Sequence, residues 1–184
     1  MDVAHLRLST RAEHEAVEDC LPLMTPDLTR DTYSRVLQRL RGIVGAWEAR
    51  AEEGLQGQLK EAARARQRLP LLESDLDFLG VARNAGERPQ LPMFADTVEL
   101  LGAMYVMEGS RLGGQLISRH VSKTLRLDAS KACSFFLGFG PLTGVRWIEF
   151  LDILRTQIKD SESERAVLGA KKMFHVFGEW MRSG

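Results

Sequence analysis

Four histidines occur in the chain, His5, His14, His120 and His175, and His14 differs from the other three. It sits on a stripe of mainly apolar residues at three- and four-residue spacing, Val3, Leu6, Thr10, His14, Val17 and Leu21. Glu18 follows one helical turn later, within side-chain reach. A histidine that ligates a metal usually gives its other ring N–H to a carboxylate or carbonyl. That contact fixes the tautomer and makes the ligating nitrogen more basic. A plain surface His–Glu contact fits the same spacing. No further ligand motif accompanies the pair. The sequence has no Glu-x-x-His, no His-Glu-x-x-His and no Cys-x-x-Cys, which argues against di-iron and zinc sites. A lone axial histidine suits a metal that brings its other ligands with it, and haem is such a centre.

The second unusual feature is glycine. Sixteen occur, and four of them (Gly102, Gly109, Gly113 and Gly114) lie within DTVELLGAMYVMEGSRLGGQLISRHVSKTLRL, a stretch that otherwise reads as helix. Glycine in a helix interior costs about 1 kcal/mol relative to alanine, so four cost about 3–4 kcal/mol. Gly109 and Gly113 share a helix face. Bare backbone there admits either a second helix or a flat, rigid ligand, and it allows a kink. Taken with His14, these glycines suggest a haem held between the His14 helix and the glycine face.

The elements that must position these groups are helical. Period-two alternation is almost absent. The first stripe ends at Pro22, and a second helix runs through Tyr33, Val36, Leu37, Leu40, Val44 and Trp47, capped by Thr29 or Asp31. Residues 55–69 read as a third, more exposed helix that stops before Pro70. Ser74 to Val81 makes a short fourth element. Residues 84–92, with Asn84, Gly86, Pro89 and Pro92, read as a loop. The longest helix is expected over Phe94 to Leu125. Residues 128–139, 143–159 and 162–182 follow, the last capped by Ser161 or Ser163. The expectation is an all-α chain of seven or eight helices forming one domain over residues 1–184.

Composition narrows the function classes. The chain carries 25 basic and 25 acidic side chains and no net charge, which argues against nucleic acid as partner. A hydrophobic content of 44% with 27% charged residues is that of a globular chain. No run reaches the ~18 apolar residues of a membrane span. The N-terminal residues lack a signal-peptide pattern. Cys20 and Cys133 have neither metal-site spacing nor scaffold density and read as inert buried thiols. A cytoplasmic setting is expected. Trp47, Trp147 and Trp180 read as core or interface anchors. His120 and His175 read as structural or surface residues. Arg64, Arg66 and Arg68 read as a solvated face, with a strip that could dock an acidic electron donor.

With both motifs in view, the sequence resembles the haem oxygenase family in its bacterial form. Leu6 to Glu18 looks like that family's proximal helix. The axial histidine falls on His14, the carboxylate contacting it on Glu18, and a propionate-facing basic residue on Arg7, with Thr10 on the same cofactor side. Thr29-Arg30-Asp31 is similar to the opening of the second helix. Glu108-Gly109-Ser110-Arg111-Leu112-Gly113-Gly114-Gln115 resembles the distal signature. Phe135 to Gly140 and then Trp147 also resemble bacterial members, and Phe174 falls where the last helix sets an aromatic against the pocket. The resemblance implies an all-α fold with haem between the proximal helix and a kinked, glycine-rich distal helix.

The sequence departs from mammalian-type members in two places. Their aspartate after the first distal glycine is Ser110 here. Their two basic residues on the penultimate helix fall near Ile148 and Asp152.

The implied reaction is reductive, O2-dependent opening of haem to biliverdin, Fe2+ and CO. The implied partners are haem, O2 and an unidentified electron donor (ferredoxin, flavodoxin or a reductase), with the protein a monomer or weak dimer. In this reading Gly109, Ser110 and Gly113 serve catalysis, His14 holds the iron, and Arg7, Thr10, Glu18, Gly109, Gly113, Gly114 and Phe174 hold the cofactor. A histidine ligand fits, because a thiolate would instead push electrons into the O–O bond and favour its cleavage. Glu108 reads as a buried, hydrogen-bonded carboxylate. Two other functions remain: a haem carrier or sensor without turnover, and a thiaminase-like hydrolase on the same architecture, for which Cys133 is the candidate nucleophile.

Overall fold

A computed structural model describes residues 1–82 and 87–183. Asn84 and Gly86 of the expected loop lie outside the described residues, and 87–95 carry no regular structure. Among the described residues there is no strand, in agreement with the all-α reading.

The first stripe forms two helices, α1 (Val3–Ser9) and α2 (Arg11–Glu18), rather than one. Thr10 makes the break. Its Oγ1 donates to the Leu6 carbonyl at 2.8 Å, which draws the backbone away from helical geometry (φ −116°, ψ 9°). Helix α3 (Arg30–Gly54) is capped by Thr29, whose Oγ1 accepts from the Thr32 amide at 3.1 Å. The expected third helix is shorter, α4 (Gly57–Arg64). Pro70 does not end a helix but sits in the first turn of α5 (Leu69–Phe78), where its missing N–H costs nothing.

The expected long helix is split into α6 (Thr97–Gly109) and α7 (Gly114–Leu125). Residues 128–139 give two single turns, α8 (Ala129–Ala132) and α9 (Ser134–Leu137). The chain closes with α10 (Thr143–Gln157) and α11 (Ser163–Arg182), and neither Ser161 nor Ser163 caps the latter. The division of single stripes at Thr10, Gly109 and Cys133 is what raises the helix number above the expected seven or eight.

Helix α6 is buried from Val98 to Glu108 on all its faces, as befits the central helix of the fold. It crosses α11 backbone to backbone. A Cβ on Gly102 would lie 2.0 Å from the Ala166 carbonyl oxygen, and one on Gly169 would lie 2.0 Å from that of Glu99. Gly102 is therefore a packing glycine. Helix α3 covers another side through Tyr33, Leu37, Ile43 and Trp47. The Tyr33 hydroxyl donates to the Ala132 carbonyl at 2.7 Å, tying α3 to α8. Asp75, fully buried, accepts from the Ser134 and Phe135 amides at 2.7 and 2.9 Å and so caps α9. The last turn of α11 is pinned to α3. The Arg39 guanidinium stacks 3.4 Å from the Trp180 ring centroid, and the Trp180 indole donates to the Arg39 carbonyl at 2.7 Å.

Candidate functional site

Helices α2 and α6 both lie against α11. His14 on α2 is half exposed. Its ring meets Phe174 of α11 edge-on, with centroids 5.9 Å apart and planes at 86°. Its Nε2 stands 3.7 Å from Glu18 Oε1, too far for a hydrogen bond but close enough for attraction. Thr10 is buried, and its hydroxyl is committed to Leu6. Its carbonyl accepts from the His14 amide at 3.0 Å, so Thr10 seats the first turn that carries His14. Arg7 is exposed on α1 and acts electrostatically on Tyr105 of α6, whose phenol burial pushes up and Arg7 draws back down.

On α6, Gly109 faces the Trp147 indole, 3.7 Å from where a Cβ would stand. Trp147 in turn lies against Tyr105 and Phe150, with ring centroids at 5.5 and 5.8 Å. Gly113 caps α7 and faces open space, with no heavy atom within 4 Å of a Cβ position. Gly114 differs. Its Cβ would lie 2.2 Å from the Phe136 carbonyl oxygen, so it serves contact with α9. The expected glycine cost is smaller than four interior positions imply, because Gly109, Gly113 and Gly114 bracket the break and only Gly102 is interior.

The two neighbouring glycines should therefore respond differently to the same substitution. Gly113→Ala is expected to leave the melting temperature within about 2 °C of the parent. Gly114→Ala, forced against a backbone carbonyl, is expected to cost about 2 kcal/mol and lower it by ~5 °C. Scanning calorimetry on both variants checks this, and equal melting points would refute the assignment.

The break itself is held from beneath. Residues 110–113 make short-range turns: the Arg111 amide donates to Glu108 at 3.2 Å and the Leu112 amide to Gly109 at 3.0 Å. The Met107 carbonyl accepts from Arg68 Nη2 and from the Ser110 hydroxyl, both at 2.8 Å. Arg68 Nη2 also donates to Ser110 Oγ at 2.9 Å, and its guanidinium lies 4.5 Å over the Phe135 ring. Arg66 and Arg68 are thus buried, correcting the expected solvated face. Arg64 stays at the surface, paired with Glu52 and Glu61.

Glu108 is buried as expected, 3.1 Å from Arg111 Nη2 and 3.4 Å from Arg66 Nε. Glu48 Oε1 accepts from the Arg68 and Leu69 amides at 2.5 and 3.1 Å. Burial and the neighbouring Arg111 press the Arg68 guanidinium down to about 9.

Sequence reasoning missed Arg68 and Arg66. One signal was present, because residues two apart stand on different helix faces, so Arg64, Arg66 and Arg68 could not form one helical strip. Cys133 is fully buried, and burial pushes its thiol up, the reverse of what a nucleophile needs. Cys20 is only partly buried. His175 is exposed, and His120 meets the Thr25 carbonyl at 3.0 Å. Among the described residues no cluster of three or more His, Cys, Asp or Glu is placed to hold a metal ion, and no helix is long and apolar enough to cross a membrane.

A half-exposed imidazole against Phe174 and a helix break with bare backbone are the two features of this all-helical chain that could receive a prosthetic group. The sequence model of the heme oxygenase family matches residues 3–183, and the chain belongs to that family, whose members are enzymes that use haem as both substrate and prosthetic group. A heme oxygenase of Xanthomonas campestris pv. campestris (strain 8004) is 30% identical over 148 residues, covering 80% of this chain and 87% of that protein. The structure of heme oxygenase from Leptospira interrogans superposes with a TM-score of 0.78 at 21% identity, covering 100% of both chains. The NO- and CO-bound heme oxygenase from Neisseria meningitidis gives 0.81 at 18% identity, covering 98% of this chain and 89% of that one.

Proposed function

We propose that this enzyme opens haem to biliverdin with release of Fe2+ and CO, consuming O2 and electrons from a ferredoxin, flavodoxin or reductase, in the cytoplasm, as a monomer or weak dimer over a single domain. The observation that carries the reading is His14, half exposed, oriented by the Phe174 edge and set beside Glu18.

The residues present fit haem. One imidazole, with no cluster of three or more ligating side chains among the described residues, suits an iron that brings four nitrogens of its own. Gly113 presents bare backbone to open space, which a flat ring can approach. When bound, haem supplies the iron that takes up O2 and the porphyrin that is consumed.

The chain's own contributions follow from the geometry. His14 offers a ring nitrogen to the iron, with Glu18 one turn away on the same helix. Phe174 limits rotation of the imidazole. Arg7 supplies the cation for a propionate. Gly109 and Gly113 form the distal wall, with Gly109 backed by Trp147. The Ser110 proton is committed to the Met107 carbonyl, so on its open side this hydroxyl accepts hydrogen bonds and holds water by acceptance. Gly114 supports the wall through α9 rather than touching the cofactor. The hydrolase alternative loses its nucleophile with the raised Cys133 thiol.

Turnover separates the enzyme from a carrier. Purified protein mixed with haemin, ascorbate and air is expected to lose its Soret band within an hour and gain biliverdin absorption. A haem spectrum stable over that time would leave binding without turnover.

A further inference from the structure

The end of α6 leaves a backbone carbonyl that two side chains satisfy, one local and one distant. The Met107 carbonyl would pair with the Arg111 amide in a continuous helix, but that amide turns to Glu108 instead. A buried carbonyl without a partner is costly. The Ser110 hydroxyl donates to it at 2.8 Å, and Arg68, which precedes α5 and is 39 residues away in sequence, donates to it from Nη2 at 2.8 Å and to Ser110 Oγ from the same nitrogen at 2.9 Å, so that Arg68 ties both groups together. Its plane rests on Phe135, its backbone amide is held by Glu48, and it is 3% exposed. Nothing about this guanidinium is adjustable: its plane, its backbone and both acceptors are fixed.

We infer that Arg68 is the positioning residue of the distal wall, holding the break between α6 and α7 in one conformation and thereby deciding which edge of the bound macrocycle is opened. The inference rests on the haem reading for its second half only. The break is the bare-backbone wall. A wall held by a single buried fork presents one shape to the ring, whereas a loosened wall presents several. Ser110, which shares the fork, keeps its acceptor side turned outward only while its proton stays on Met107.

Two variants and two measurements test this. In haem-free protein, Arg68→Met is expected to speed hydrogen exchange of the amides of Ser110, Arg111, Leu112 and Gly114 by about tenfold or more, while α11 keeps its protection. In turnover with haemin, the parent is expected to give one predominant biliverdin isomer, Arg68→Met a mixture, and Arg68→Lys a partial return to the parent ratio. A general loss of stability would slow turnover without changing the isomer ratio.

Exchange at the break unchanged within about twofold in natively helical Arg68→Met, or an unchanged isomer ratio, overturns the proposal. If Arg68→Met does not fold, Arg68→Lys and Ser110→Ala carry the same test, and parental exchange and isomer ratio in both would overturn it. Absence of any bilin from the parent protein would instead refute the enzyme reading, and the exchange measurement would still decide the role of Arg68.

Discussion

His14→Ala is expected to cut haem turnover by at least about a hundredfold, or ~2.7 kcal/mol of barrier, and to remove the spectrum of imidazole-ligated haem, with little change in the fold. The side chain is half exposed, and beyond its ring contact with Phe174 and its approach to Glu18 it carries no core packing. Its loss should therefore move the melting temperature by only a degree or two. The other three histidines hold other places in the fold, and none of them has a ring contact with Phe174 among those the structure shows. His5 is tied to Glu164 at 2.7 Å, His120 meets the Thr25 carbonyl, and His175 stands beside Glu179 at 3.4 Å. Added imidazole should restore part of the spectrum in His14→Ala, because the substitution leaves room for a free ring. An absorption spectrum of His14→Ala–haem identical to the parent's would overturn the assignment of His14 as the iron ligand. Glu18→Gln is the milder companion, and at 3.7 Å between exposed groups its effect should be several-fold rather than a hundredfold.

The second large effect falls on stability and lies away from the chemistry. Gly169→Ala is expected to cost about 3 kcal/mol and lower the melting temperature by ~10 °C. On most helices this substitution would stabilise by up to about 1 kcal/mol. Here the new methyl would stand 2.0 Å from the Glu99 carbonyl oxygen and 2.6 Å from its carbon, inside the crossing of α6 and α11. Backbone cannot rotate away as a side chain can, so the two helices would have to separate along their shared face. The reciprocal change, Gly102→Ala, meets Ala166 in the same way. The double variant should cost less than the sum, because a single separation relieves both clashes. A melting curve for Gly169→Ala that coincides with the parent's would show that the crossing is looser than its backbone distances indicate.

Helical content and the His14–Glu18 pairing were legible in the sequence because both depend on local spacing, which three- and four-residue periodicity records directly. The breaks were less legible. Thr10 sits on the stripe as any helical residue would, and only its bond back to Leu6 interrupts the helix. Gly109 and Gly113 announced flexibility, but the four-residue break from Ser110 to Gly113 depends on Arg68, which the chain brings in from far away. Buried arginines read as surface for the same reason. A guanidinium counts as solvated until Glu108, Phe135 and the Met107 carbonyl are known to surround it, and those partners of Arg68 are 39 to 67 residues distant. Gly114 was grouped with the site because sequence cannot distinguish a missing Cβ that admits a ligand from one that admits a neighbouring backbone.

Helix α11 touches both α6 and the His14 helix α2. Gly169 sets α6 against it, and Phe174, five residues on and about 7.5 Å along the axis, sets His14. The helix therefore works as a gauge block, its rise per residue fixing how far the imidazole stands from the α6–α11 crossing. Shifting His14 relative to α6 would call for re-cutting α11 between these two marks.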